Sequence, residues 1–199
     1  MRIVRSISRA YADPVDLIWI HAAVQLGMQV QRSHEVNASW DGRQTLTIGT
    51  AETLDADDCL AQMILHEICH ALCEGPESLT KPDWGLESFD SSKRIHEHAC
   101  LRLQAALADR FGLRQFFAST TMFRRYYDHL PPDPLATDGD PAVAMARLAL
   151  RRATDSRWLE TIEAAMAATL EIRRIVENLS PPDSLWRADT SARLPPGLA

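Results

Sequence analysis

Two histidines and a glutamate stand close together in the stretch LAQMILHEICHALCEGP, residues 60–76: His66, Glu67 and His70. Four residues apart on a helix, His66 and His70 lie one turn from each other on the same side, near enough to grip a single ion. Two imidazoles supply half of a tetrahedral zinc site. Glu67 is turned by about 100° from His66 by helix geometry, which places it beside an ion rather than on it. A zinc ion lowers the pKa of its water toward about 7, and a neighbouring carboxylate can take that water's proton and pass it to a leaving amine. The blander account is that two core histidines lie one turn apart by coincidence. Burying them without partners against Leu65, Ile68 and Leu72 would cost about 1–3 kcal/mol each, so a shared ion explains them better.

Several elements must position this group. Apolar residues Val15, Leu17, Ile18, Ala22 and Leu26 recur at helical spacing, with Asp13 as cap and Pro14 at the first helical position. The runs QVQRSHEV (29–36) and QTLTIGT (44–50) lean toward strand, and Asp41 and Gly42 between them signal a hairpin turn. Acidic LDADDC (54–59) suits a helix N-terminus, and the motif helix is expected to run from there to Glu74, stopped by Gly75 and Pro76. Residues 75–90 read as a loop anchored by Trp84. A further helix is expected over 91–112, with Ile95, Ala99, Leu103, Ala106, Leu107 and Phe111 on its apolar face and Gly112 as its stop. RQFFASTTMFRRYYDHL (114–130) also reads as helical. PPDPLATDGDP (131–141) is a break, residues 142–179 form one long helix or two, and the Pro-containing tail from Ser180 is extended. The predicted class is α+β, mostly helical. Its domain plan is a core over 1–130, a linker over 131–141, a helical part over 142–179 packing on the core, and a tail over 180–199.

Composition narrows the partners. With 199 residues and 46% hydrophobic content, the chain can bury a sizeable core. A formal charge of −6 argues against nucleic acid and anionic membrane surfaces, which reward clustered Lys and Arg. No run approaches the roughly 18 apolar residues that span a bilayer. The apolar patch near the start is interrupted by Asp13, Pro14, Asp16 and His21, so it is read as mature protein rather than a signal. Cys59, Cys69 and Cys73 share the motif-helix region and Cys100 lies beyond it. Cys59, Cys69 and Cys73, on one helix, are poor mutual disulfide partners, which suits a reducing, cytoplasmic compartment, and all four read as small buried packing residues. Cys73, three residues after His70, offers a sharper role as a thiolate ligand.

The order helix, β element, HExxH helix, helix over residues 13–112 resembles the core of the zincin metallopeptidases, particularly small gluzincin-like or repressor-cleaving forms. The resemblance implies a bound Zn2+, Glu67 as general base and acid, and a third protein ligand downstream. A metzincin would place a His where Pro76 stands, which excludes that branch. Glu87, in WGLESF, faintly resembles the ligand segment of zincin aminopeptidases. In the related families the ligand directly precedes an Ala, followed by core residues in a fixed register. His98 reproduces that register through Ala99, Leu103, Ala106 and Leu107, whereas residue type favours Glu97. The third ligand is read as His98, with Glu97 as the alternative and His96 as a satisfied core histidine. Such sites also use a helper for the oxyanion, and Tyr126, Tyr127 and His129 are candidates by type. The Arg pairs at 124/125, 151/152 and 173/174 read as solvated or ion-paired.

The expectation is thus a metallopeptidase acting on a peptide or protein, without nucleic-acid or membrane partners. The strand 44–50 would serve as an edge to which extended substrate adds. Two alternatives stand beside it. One is a metal-binding or peptide-modifying protein without proteolysis. The other is a partner-binding scaffold carrying a vestigial site, against which the presence of Glu67 argues, since a purely structural zinc has no use for it.

Overall fold

The computed structural model describes residues 8–86, 93–118 and 123–187. Helix α1, Pro14–Gln25, starts where Asp13 accepts from the amides of Val15 and Asp16, with Pro14 in the first turn. It buries Val15, Trp19, Ala22 and Ala23. Three strands follow, β1 (Gln29–Ser33), β2 (Ala38–Trp40) and β3 (Thr45–Gly49), in spatial order β1-β3-β2. β2 and β3 form the antiparallel hairpin, whereas β1 pairs with β3 in parallel. The first and last strand-forming runs were expected to be hairpin partners; the intervening residues 38–40 take that place. The turn is built as the sequence suggests. Asp41 Oδ1 accepts from the amides of Arg43, Gln44 and Thr45 at 2.8–2.9 Å, and Gly42 takes φ +73°.

This order corrects a second expectation: β3, bonded on both sides, is central and cannot be an edge for added substrate. The outer side of β2 is also engaged. Asp83 Oδ1 accepts from the Trp40 amide and the Ser39 hydroxyl, and Asp41 bridges to Pro82.

Helix α2, Leu60–Glu74, carries the motif and is buried along its whole length except at Glu74. It begins later than the acidic run implied, because residues 54–58 form turns and the Cys59 amide is held by Gln62 Oε1. At its other end Gly75 takes φ +89°, and Arg152 donates to the carbonyls of Leu72 and Cys73 at 2.7 Å each. Short 3-10 turns at Pro76–Thr80 and Asp83–Gly85 follow. Helix α3 covers Lys93–Asp109 and α4 only Arg124–Asp128. Residues 114–117, expected as helix, are turns instead.

The C-terminal part is two helices, α5 (Ala142–Asp155) and α6 (Trp158–Val176). Ala142, Ala146, Ala149 and Ala153 make a buried small-residue face on α5, which packs on α2 and α3. α6 lies on α1, where the Trp19 indole donates to Thr169 Oγ1 at 3.0 Å. One apolar cluster therefore draws on every helix except α4 and on the strands. The 131–141 segment is not loose: the buried Arg102 guanidinium binds Pro134 O, Asp138 and Asp140. The tail was expected to be extended, but Leu185 and Trp186 pack on the core, Trp186 against Phe116 with ring centroids 4.7 Å apart. Among the described residues no helix is long and apolar enough to cross a membrane.

Candidate metal centre

α2 and α3 face each other along a seam of polar side chains inside the apolar core. On α2 it consists of His66 and His70, with Gln62 one turn before them donating to the Phe116 and Ala118 carbonyls. On α3 it consists of Glu97, Cys100 and Gln104, spaced three and four. These are the intervals that keep side chains on one helix face. His66 Nε2 and His70 Nε2 stand 3.2 Å apart, and Glu97 Oε2 lies 3.5 Å from the first and 3.4 Å from the second. These three residues form a group that could hold one metal ion. The two rings are perpendicular, with centroids 4.7 Å apart, and each brings its Nε2 to the same place beside Glu97 Oε2.

Neighbours fix which ring atoms point inward. Gln104 donates its amide to Phe117 O, which turns its Oε1 to His66 Nδ1 at 3.0 Å. The His66 proton then sits on Nδ1, and Nε2 is left for a cation. His70 Nδ1 faces Cys100 Sγ at 3.2 Å. Burial, reinforced by Cys73, pushes the Cys100 thiol well up, so it is a neutral sulfur able to accept from Nδ1–H. Burial works against charge on His66, yet the facing Glu97 carboxylate, joined by Glu67 and Gln104, outweighs it and lifts the His66 pKa to about 9. Burial likewise resists a charge on Glu97, and His66 and His70 overcome it, holding its carboxyl far below the usual range. Three electron-rich donor atoms this close together repel one another unless a proton or metal ion lies between them.

His98, expected from the sequence as the third ligand, points elsewhere. Its ring stacks on Tyr126, with centroids 3.5 Å apart, and its Nδ1 is 3.9 Å from Asp140. The expected register assumed that α3 has one apolar face, but α3 is buried nearly all round from Ala99 to Ala108. His98 heads the row of Leu101 and Ala105, which packs with Tyr127 and Leu130 in a separate small cluster. Glu97 heads the row that meets α2. His96 pairs with Glu74 at 2.7 Å, a half-buried contact rather than a core position. Cys73 is buried and free but stands outside the cation group. Glu87 lies outside the described residues.

Glu67 is buried, and its Oε2 accepts from the Trp84 indole at 2.8 Å. The oxyanion candidates are engaged elsewhere. The Tyr126 hydroxyl donates to Asp140 at 2.7 Å, the Tyr127 hydroxyl to Arg114 O at 2.9 Å, and His129 meets its own helix at Arg125 O. Gln104, Cys100 and Trp84 did not emerge from the sequence as site residues. For the first two a signal exists, since they lie seven and three residues from Glu97 on a helix. Nothing local in the sequence ties Trp84 to Glu67, because a loop carries it there. Comparison with protein-family models, curated proteins and solved structures finds no match, so the functional reading rests on these residues.

Proposed function

We propose that this chain is a zinc-dependent peptide hydrolase with a zincin-like site, in which His66, His70 and Glu97 hold the ion and Glu67 moves the proton. The observation that carries this reading is the shape of the donor triangle. Donors placed tetrahedrally at about 2.0–2.1 Å from zinc stand about 3.3–3.4 Å from each other. The three separations here are 3.2, 3.4 and 3.5 Å. Two nitrogens and one carboxylate oxygen, the three donors that the described residues bring together, are also the donor set of hydrolytic rather than structural zinc.

A zinc ion bound there supplies Lewis acidity, which acidifies a water and polarises a scissile carbonyl. Gln104 and Cys100 orient the two imidazoles, and Glu97 balances charge in the seam. Glu67, one residue from His66 and outside the donor triangle, takes a proton from the attacking water. As the C–N bond breaks it delivers that proton to the amine nitrogen, ending as the carboxylate with which it began. The substrate class is a peptide or protein. Strand addition to β3 is not the means of gripping it, for that strand has no open side. Four free thiols suit a reducing compartment, and we place the protein in the cytoplasm.

The test uses the full chain, stripped by chelator, reloaded with one equivalent of zinc and offered a quenched-fluorescence peptide library. Native protein and Glu67→Gln are each expected to retain one zinc. Cleavage by the variant should fall by about 10²–10⁴-fold, the range for removing a general base. Failure to take up zinc, or equal cleavage by both proteins, would overturn the reading. Zinc uptake without any cleavage would favour a metal-binding role without hydrolysis.

A further inference from the structure

We infer that Trp84 is a positioning residue for Glu67: its indole N–H holds one carboxylate oxygen in place and leaves the other to exchange the proton. The inference rests on the hydrolytic reading above. A buried Trp commonly finds some acceptor for its N–H, so the contact at 2.8 Å would mean little alone. The backbone beneath it adds the second observation. Asp83 and Trp84 have φ of +46° and +59°, and Gly85 follows at +78°. A bulky aromatic in the left-handed region is a genuine outlier, held only where its surroundings fix it.

Those surroundings come from both sides of the turn. Before it, Pro82 bridges to Asp41, and Asp83 Oδ1 accepts from the Ser39 hydroxyl and the Trp40 amide. After it, the Gly85 amide returns to Pro82 O at 2.8 Å. The indole itself stacks on Trp40 with centroids 4.9 Å apart and planes within 3°. Trp40 is anchored in turn by its own N–H to Leu79 O at 3.0 Å. A donor fixed this firmly cannot swing, so the carboxylate it holds loses its rotational freedom. That is what a group shuttling a proton between water and amine needs: one oxygen tethered, the other in constant register with the reacting atoms. It also gives the closed edge of β2 a purpose, because the same Pro82–Gly85 turn that covers the edge carries the donor.

Trp84→Phe keeps an aromatic face for the stack but removes the pyrrole part of the indole together with its N–H. With zinc reloaded and the same peptide library, we expect kcat to fall by about tenfold or more, with KM within twofold and one zinc still bound. An unchanged kcat would overturn the inference, as would a rise in KM that accounts for the whole loss. A second measurement needs neither activity nor the Trp84→Phe protein. In 15N-labelled protein the Trp84 indole N–H resonance should lie downfield and shift upfield in Glu67→Gln, because a carboxylate is the stronger acceptor. An identical resonance in the two proteins would overturn the inference. If native protein cleaves nothing while the indole resonance responds to Glu67→Gln, the hydrolytic reading fails and the contact stands.

Discussion

Glu97 and His98 are neighbours in sequence but serve different surroundings, and substituting each in turn separates them. Glu97→Gln removes the anionic donor from the triangle. Its zinc affinity, read by calorimetry or chelator competition, should fall by at least about 100-fold, since losing even an outer-shell partner costs about 10–100-fold. His98→Phe keeps a ring stacked on Tyr126 and should leave zinc affinity within about threefold, the reverse of what the family register implied. A pH dependence follows from the same atoms. In the metal-free chain His66 titrates at about 9 instead of 6.5. A raised pKa contributes stability that is complete below pH 6.5 and is lost as the pH climbs through about 9. The thermal midpoint with chelator present should therefore decline across that interval. With saturating zinc the decline should disappear, because the ion replaces the proton between the same three groups. An unchanged slope in zinc would mean that zinc does not occupy them.

At the scale of elements, much of the arrangement was legible because local signals and tertiary demands agree. Asp13 and Pro14 start α1, Asp41 and Gly42 make the hairpin turn, and the apolar run from Leu60 to Cys73 makes the buried helix that carries His66, Glu67 and His70. Illegibility enters where a periodic pattern has more than one partner. α3 touches α2, α4 and α5, so its apolar residues mark no single face and the ligand register could not be read from them. The sheet order was hidden for a similar reason. Strand-forming residues predict strands, but a parallel pairing of β1 with β3 depends on the crossover, which no single strand encodes. Gly75 offers a test of how the motif helix ends. It sits at φ +89°, and a Cβ there would stand 2.8 Å from the Arg152 guanidinium carbon. Gly75→Ala should therefore destabilise the protein by about 1–3 kcal/mol from backbone strain, and by more if Arg152 is pushed off the Leu72 and Cys73 carbonyls. Urea unfolding measures this directly, and a midpoint equal to the native one would show that the helix end tolerates an ordinary residue.

Across the whole molecule, the question is whether the helices past the 131–141 segment are an appendage or part of what holds the metal centre. Their inner faces argue for the second. Ile162 and Met166 are fully buried, each contributing about 1.5–3 kcal/mol. Thr169 accepts the Trp19 indole proton, and Arg152 satisfies the last carbonyls of the motif helix. Set against a net stability of about 5–15 kcal/mol for a domain, the two side chains alone approach the lower limit, before the buried alanine face of α5 is counted. Removing α5 and α6 would also bare the flanks of α2 and α3, the pair of helices whose spacing sets the 3.2–3.5 Å donor triangle. A chain ending at residue 141 should thus show no cooperative thermal transition and no tight zinc binding, although every proposed ligand is still in it. A truncated chain that unfolds cooperatively and binds zinc like the native protein would make the C-terminal helices an appended module. Their function would then have to be sought on their own surface rather than in their support of α2.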